Sequence, residues 1–128
     1  MANELTISAS ASYEKNNHEL SFSPPAIQVT VAGDQSSGAV VEATTTPAGV
    51  AIDVTELGAA AQGWAWFRNI GTDSATHIAV GPRDGSGNFI ECFHLLGGEF
   101  AIMRVGDQQL YCKSSSGTLN LQYNVLEA

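Results

Sequence analysis

Positive charge is scarce: five lysines and arginines face thirteen acids in 128 residues, a formal charge of −8. Lys15, Arg68, Arg83, Arg104 and Lys113 are scattered rather than clustered, which argues against a surface that tracks a phosphate backbone, so no nucleic-acid partner is expected. Charged side chains of both signs make up only 14%, against roughly one quarter in an ordinary soluble domain. Surface polarity must therefore come from the 34 Ser, Thr, Asn and Gln residues, which favour turns and strand faces over helices. No apolar run approaches the roughly 18 residues of a membrane span. Met1 to Thr6 has neither the basic nor the apolar region of a signal peptide. A cytoplasmic product with no membrane partner is expected. Only two cysteines are present, Cys92 and Cys112; without a secretory signal they are expected reduced and buried, not bridged.

What the sequence does contain is period-2 alternation. From Thr118 to Val125, Leu119, Leu121, Tyr123 and Val125 alternate with Asn120, Gln122 and Asn124, the pattern of a half-buried strand. Similar segments run over Leu5 to Ala11, Ala26 to Val31, Ala39 to Thr45, Val50 to Val54, Trp64 to Asn69, Thr76 to Val80, Phe89 to Leu95, Phe100 to Val105 and Gln109 to Lys113. Turn-rich clusters separate them, at Ala32 to Gly38, Gly71 to Ser74, Gly81 to Gly87, Gly97-Gly98, Gly106-Asp107 and Ser114 to Gly117. Short strands at such spacing predict an all-β sandwich or barrel. Thr55 to Gln62 alone could form a helical turn. Pro24-Pro25 fixes a bend, because neither proline can donate to a sheet ladder. Residues 1–25 are accordingly expected to be an arm or edge strand and 26–128 the sandwich domain. Leu5 and Ile7 alternate with polar neighbours and would pair with a sheet edge of the same or a neighbouring subunit.

Chemistry is harder to find. Cys92 and His94, two apart on an expected strand, share a face, and Cys112 could join them as a zinc ligand. The spacing matches no usual zinc motif, however, and a fourth ligand would have to come from His77 or an acid, so no metal is expected. Neither a Gly-x-Ser-x-Gly nor a protease cysteine motif occurs, and His18, in Asn16-Asn17-His18-Glu19, reads as a solvated loop residue. Gly81 to Gly87 has glycines enough for a phosphate loop but is followed by a strand rather than a helix, so a hairpin loop is expected. No catalytic residue and no cofactor are assigned. Trp64, Trp66 and Arg68 share one strand face, with Ala65 and Phe67 on the other. Packing predicts at least one tryptophan in the core; the functional alternatives for the two indoles are an interface anchor or a platform for stacking sugars, and a sugar-binding module would use Trp64, Trp66 or Tyr111.

One stretch carries a family resemblance. Gly63-Trp64-Ala65-Trp66-Phe67-Arg68-Asn69 leads to His77-Ile78-Ala79-Val80-Gly81 and then Phe93-His94-Leu95-Leu96-Gly97-Gly98-Glu99-Phe100. Leu110-Tyr111-Cys112-Lys113 and Leu119-Asn120-Leu121-Gln122-Tyr123 follow as an expected closing hairpin. This pattern, over about Gln62 to Leu126, resembles small structural proteins of tailed bacteriophages. The Gly-Gly-Glu turn also recurs in cupins, whose metal-binding His-x-His pair is replaced here by Cys92 and His94. The phage resemblance implies a jelly-roll-like β-sandwich of about 8–10 short antiparallel strands that assembles on a virion after synthesis in the host cytoplasm. Such a protein would serve as a capsid decoration or cement protein, often a homotrimer, bound to the major capsid protein or other virion proteins. Tail or baseplate component is the next expectation, and a carbohydrate-binding module or a cupin-like enzyme would be alternatives of a different kind. Candidate interface residues are Leu5, Ile7, Trp64, Trp66 and Arg68.

Overall fold

The computed structural model describes residues 5–31, 36–58 and 61–128. Two compact units divide the chain, Met1–Ala32 and Gly33–Ala128. Of the turn expected from Ala32 to Gly38, residues 32–35 lie outside the described residues, as do Ala59-Ala60 of the expected helical turn, and Ser36 to Gly38 are corrected to strand, the start of a long ladder.

Among its described residues the first unit holds four strands: β1 (Leu5–Ile7), β2 (Ala11–Lys15), β3 (His18–Phe22) and β4 (Ile27–Val29). β1 and β4 pair antiparallel, Leu5 opposite Val29 and Ile7 opposite Ile27. The Leu5 segment thus has a partner in its own chain, and the bend at Pro24-Pro25 leads into β4 of this same unit. β2 and β3 form a hairpin with Ala11 opposite Phe22 and Lys15 opposite His18. Its two-residue turn is Asn16-Asn17, with φ of 51° and 65°, the left-handed pair that a type I′ turn needs and that asparagine tolerates best after glycine. His18 is therefore a strand residue, not part of a loop, though it is exposed as expected.

Among its described residues the second unit holds eight strands: β5 (Ser36–Ala43), β6 (Val50–Ala51), β7 (Gln62–Asn69), β8 (His77–Gly81), β9 (Phe93–Leu96), β10 (Phe100–Arg104), β11 (Tyr111–Ser114) and β12 (Leu119–Glu127). Thr55–Leu57 forms a single 3-10 turn. β5 pairs with β12, β6 with β11, β7 with β10 and β8 with β9. These nested pairs describe one long hairpin, folded at β8–β9 and then rolled. Rolling brings β7 against β12 and β8 against β11, giving two four-stranded sheets, β10-β7-β12-β5 and β6-β11-β8-β9. This is the jelly-roll arrangement of an all-β sandwich. β11 and β12 belong to different sheets, so the expected closing hairpin does not form. The turn between them, with Gly117 at φ 61° and the Ser114 hydroxyl donating to the Gly117 carbonyl, carries the chain across the sandwich.

Alternation decides which side chains meet inside. Ala65 and Phe67 of β7, Ile78 and Val80 of β8, Leu95 of β9, Cys112 of β11, and Leu121, Tyr123 and Val125 of β12 form the buried cluster with Ala43, Ile52 and Leu57. Phe67 and Phe93 pack from opposite sheets with centroids 5.8 Å apart, in the range of favourable aromatic pairs. The Tyr123 hydroxyl keeps a partner inside by donating to the Asp53 carbonyl at 2.8 Å.

The residues that carry the family resemblance build one end of this sandwich. Asn69 is 1% exposed; its Nδ2 donates to the Leu95 carbonyl at 3.0 Å and its Oδ1 accepts from Gly71 N–H at 3.0 Å. Because Asn69 lies on one sheet and Leu95 on the other, the side chain ties the sheets together. Its backbone N–H donates to the Glu99 carbonyl, and its carbonyl accepts from Gly98 N–H at 2.8 Å. Gly98 has φ 85°, and a Cβ on Gly97 would sit 2.6 Å from the Asp73 carbonyl oxygen, so the Gly-Gly pair meets two separate demands of the turn. Glu99 completes it by accepting from Leu96 N–H at 2.7 Å.

Candidate functional site

The outer face of the β10-β7-β12-β5 sheet carries two tryptophans and a phenylalanine. Trp64, Trp66 and Arg68 alternate with the buried Ala65, Phe67 and Asn69 and so point away from the core, all three together on one face. Neither tryptophan belongs to the core cluster. The core expectation is corrected here, because the second sheet packs against the Ala65 and Phe67 side. Across β10, Arg104, Ile102 and Phe100 stand opposite Trp64, Trp66 and Arg68; Phe100 is 69% and Ile102 42% exposed. On β12, Asn124 and Gln122 stand opposite Trp66 and Arg68, and exposed Val40 of β5 is opposite Gln122. An apolar strip edged by two arginines results, the composition of a protein-binding surface. Arg104 lies over the Trp64 ring at 5.6 Å, within cation–π range. Leu5 and Ile7, the other two candidate residues, belong to the first unit.

Trp64 Nε1 is buried without a hydrogen-bond partner. Leaving such a donor unpaired costs about 1–3 kcal/mol, so Trp64→Phe is expected to change stability by no more than about 1 kcal/mol, the lost contacts being offset by removal of the orphan N–H. Chemical denaturation of the two proteins checks this. A loss beyond about 2 kcal/mol would mean that the indole is satisfied in solution.

On the opposite face of the molecule, the outer side of the β6-β11-β8-β9 sheet brings together His77, Glu91 and His94, whose ligating atoms all lie within 4.8 Å of one another. Glu91 Oε1 is 3.4 Å from His94 Nδ1 and 3.8 Å from His77 Nε2. The imidazole centroids are 4.3 Å apart, tilted by 31°. Strand pairing explains the encounter: His94 is opposite Ala79 and His77 opposite Leu96, so the two histidines are diagonal neighbours on one face. His77 is further fixed by Ser115, whose Oγ accepts from His77 N–H while its own N–H donates to the His77 carbonyl. His77 and Glu91 also line an open cleft of about 520 Å³ with Phe89, Lys113 and Ser115.

Cys92 does not share this face. The chain bends at Cys92 and β9 begins only at Phe93, which breaks the alternation and puts Glu91 beside His94 in its place. Cys92 is exposed and Cys112 buried, both free. Burial pushes the Cys112 thiol up to about 12 from 9.0. Its folded pKa lies above its unfolded value, so its contribution to stability is complete below about pH 9 and is lost as pH rises toward about 12. The Tyr123 phenol is raised as well, by burial first and then by the nearby Asp53 charge, and acts in the same direction. Stability is expected to fall on the alkaline side, and a thiol reagent at neutral pH is expected to modify Cys92 in the folded protein and Cys112 only on unfolding. Mass spectrometry of the two peptides checks this; equal labelling rates would contradict it.

The Gly81 to Gly87 segment is a closed hairpin loop. Asp84 Oδ1 accepts from Ser86 N–H at 2.8 Å and from Asn88 N–H at 2.9 Å. These bonds, the one from Asn88 first, hold the Asp84 carboxyl below its usual range. The amides that could have cradled a phosphate are thus taken by the loop's own carboxylate. Asp53 is likewise lowered by Thr55 N–H, again a local turn contact. Tyr111 lies on β11, in the sheet opposite the tryptophans, with the Arg83 guanidinium 3.8 Å above its ring. In comparisons with known proteins, the chain matches no family model and no curated sequence.

Proposed function

We propose that the protein is a structural component of a tailed-phage virion, a capsid decoration or cement protein that binds the shell as a homo-oligomer, a trimer first, and clamps neighbouring capsid subunits. The reading is carried by the β2–β3 hairpin. Ala11, Tyr13, Leu20 and Phe22 lie on one face of it, with Lys15 and His18 at the turn end of that face, and Ser12, Glu14, Glu19 and Ser21 lie on the other. Every one of its ten strand residues is exposed, Tyr13 at 50%, Leu20 at 58% and Phe22 at 61%. A two-stranded hairpin is marginal in water by itself, and covering what remains exposed of each of three large apolar side chains is worth about 0.8–1.8 kcal/mol. An amphipathic hairpin of this kind gains its stability by docking on another chain. The resemblance over Gln62 to Leu126 supplies the setting, and the strip around Trp66, Phe100 and Ile102 offers a second contact surface, so that several weak contacts on one oligomer add through effective concentration. The shifted groups Asp53, Asp84, Cys112 and Tyr123 each have a structural cause, which favours binding over catalysis.

Adding purified protein back to particles that lack it tests the proposal. Decorated particles are expected to rupture at a higher temperature and after harsher osmotic shock. Unchanged rupture, together with a chain that stays monomeric at high concentration, would defeat it. Immunogold labelling of tails instead of heads would move the protein to the tail, and a positive glycan array without particle binding would favour the sugar-binding alternative.

A further inference from the structure

We propose that His77, Glu91 and His94 form a three-ligand site for a divalent transition metal, zinc in the first instance, on the outer face of the β6-β11-β8-β9 sheet. Zinc takes imidazole nitrogen at about 2.0–2.1 Å and carboxylate oxygen at about 2.0–2.2 Å in tetrahedral geometry, so its ligand atoms stand roughly 3.3–3.5 Å apart. The Glu91–His94 separation of 3.4 Å already meets that requirement, and Glu91–His77 at 3.8 Å misses it by a few tenths of an ångström. The remaining pair lies within 4.8 Å, which a modest side-chain rotation closes. Two imidazoles and a carboxylate make a donor set suited to zinc among the available divalent cations. Between half and two thirds of each side chain is already covered, and the His77 backbone is held on both sides by Ser115, so part of the ordering cost is met before the ion arrives.

Three protein ligands leave the fourth position for water or for a donor from outside, the arrangement of an open site and not a closed structural one. His77 and Glu91 also line the cleft containing Lys113 and Ser115, which gives an incoming anionic or carboxylate group both the metal and a nearby ammonium. The ion would join β8, the segment before β9 and β9 itself, three parts of the sandwich brought together by the rolled hairpin. The site uses neither cysteine and is independent of the virion reading.

The test uses the full-length chain without an affinity tag, stripped with chelator and titrated with zinc chloride in a calorimeter. One saturable site per chain is expected. His77→Ala, His94→Ala and Glu91→Gln should each weaken it by at least about 10-fold, since even an outer-shell partner of a ligand is commonly worth that much. His18→Ala and Cys92→Ser should leave it unchanged. Zinc should raise the Tm of the wild-type chain and not that of the triple variant. Histidine ring resonances of the unaltered protein give a readout free of any folding defect: His77 and His94 should shift with zinc, and His18 should not. Cobalt(II) in the site should give a tetrahedral visible spectrum without thiolate charge-transfer absorption. Lack of saturable binding, binding that survives the triple substitution, or loss of binding in Cys92→Ser would each overturn the proposal.

Discussion

A chain that begins at Pro25 is expected to fold its sandwich as well as the full chain does and to lose assembly. Among the described residues, no member of the buried cluster precedes Ala43, so the unfolding midpoint of the second unit should hardly move. Assembly should respond very differently. If Tyr13, Leu20 and Phe22 are covered in the assembled state, burying the half or so of each that is still exposed supplies about 0.8–1.8 kcal/mol each, and their removal should weaken oligomerisation or particle binding by at least about 50-fold. The double substitution Leu20→Asp and Phe22→Asp makes the same test without shortening the chain. Both residues are exposed on β3, so the sandwich should be untouched, while two carboxylates in place of the apolar side chains must be stripped of water before that face can dock. Sedimentation velocity and co-sedimentation with particles measure the outcome. Truncated chains that assemble and decorate like the full-length protein would remove the hairpin from the argument.

The sandwich is legible in the sequence because both sheets have one wet and one dry face. Leu121, Tyr123 and Val125 announce β12 by alternation alone, and Phe67 on β7 does the same. Trp64 and Trp66 mislead for a physical reason. Alternation separates them from Ala65 and Phe67 but does not say which set faces inward, and residue size favours the tryptophans. The small Ala65 faces the core with Phe67 and Asn69 instead, where the facing sheet brings Phe93 close. The β2–β3 hairpin was obscured by charge, since Glu14, Lys15, His18 and Glu19 interrupt its apolar pattern; Asn16-Asn17 was the available signal, a turn pair whose φ values match type I′. The histidine–glutamate cluster depends on the bend at Cys92 and on β8–β9 register, neither of which leaves a mark in spacing. A strict period-2 reading places Cys92 where Glu91 is found.

At Asn69 the Arg-Asn end of β7 has a sharp expected effect. Asn69→Ala leaves the Leu95 carbonyl and the Gly71 amide without the partners they have at 3.0 Å, at about 1–3 kcal/mol for each stranded group. A total of about 2–6 kcal/mol is expected, a large part of the about 5–15 kcal/mol that keeps a domain folded. Asn69→Asp separates the two bonds. Its carboxylate still accepts from Gly71 N–H, but at a position 1% exposed it has no proton to donate to the Leu95 carbonyl and no counter-charge. Burial raises the folded pKa of such an aspartate, so its protonated form is the stable one, and the variant should regain stability as pH falls toward about 4, where the new carboxyl can donate. Glu99→Gln serves as the control: an amide oxygen can still accept from Leu96 N–H at an exposed site, and the change should stay within about 0.5 kcal/mol. Urea titrations at neutral and acidic pH, compared at constant m-value, distinguish these outcomes. Should Asn69→Ala fall within about 0.5 kcal/mol of the wild type, the side chain is not what joins the two sheets at this end, and the Arg-Asn and Gly-Gly-Glu elements of the motif must be explained separately.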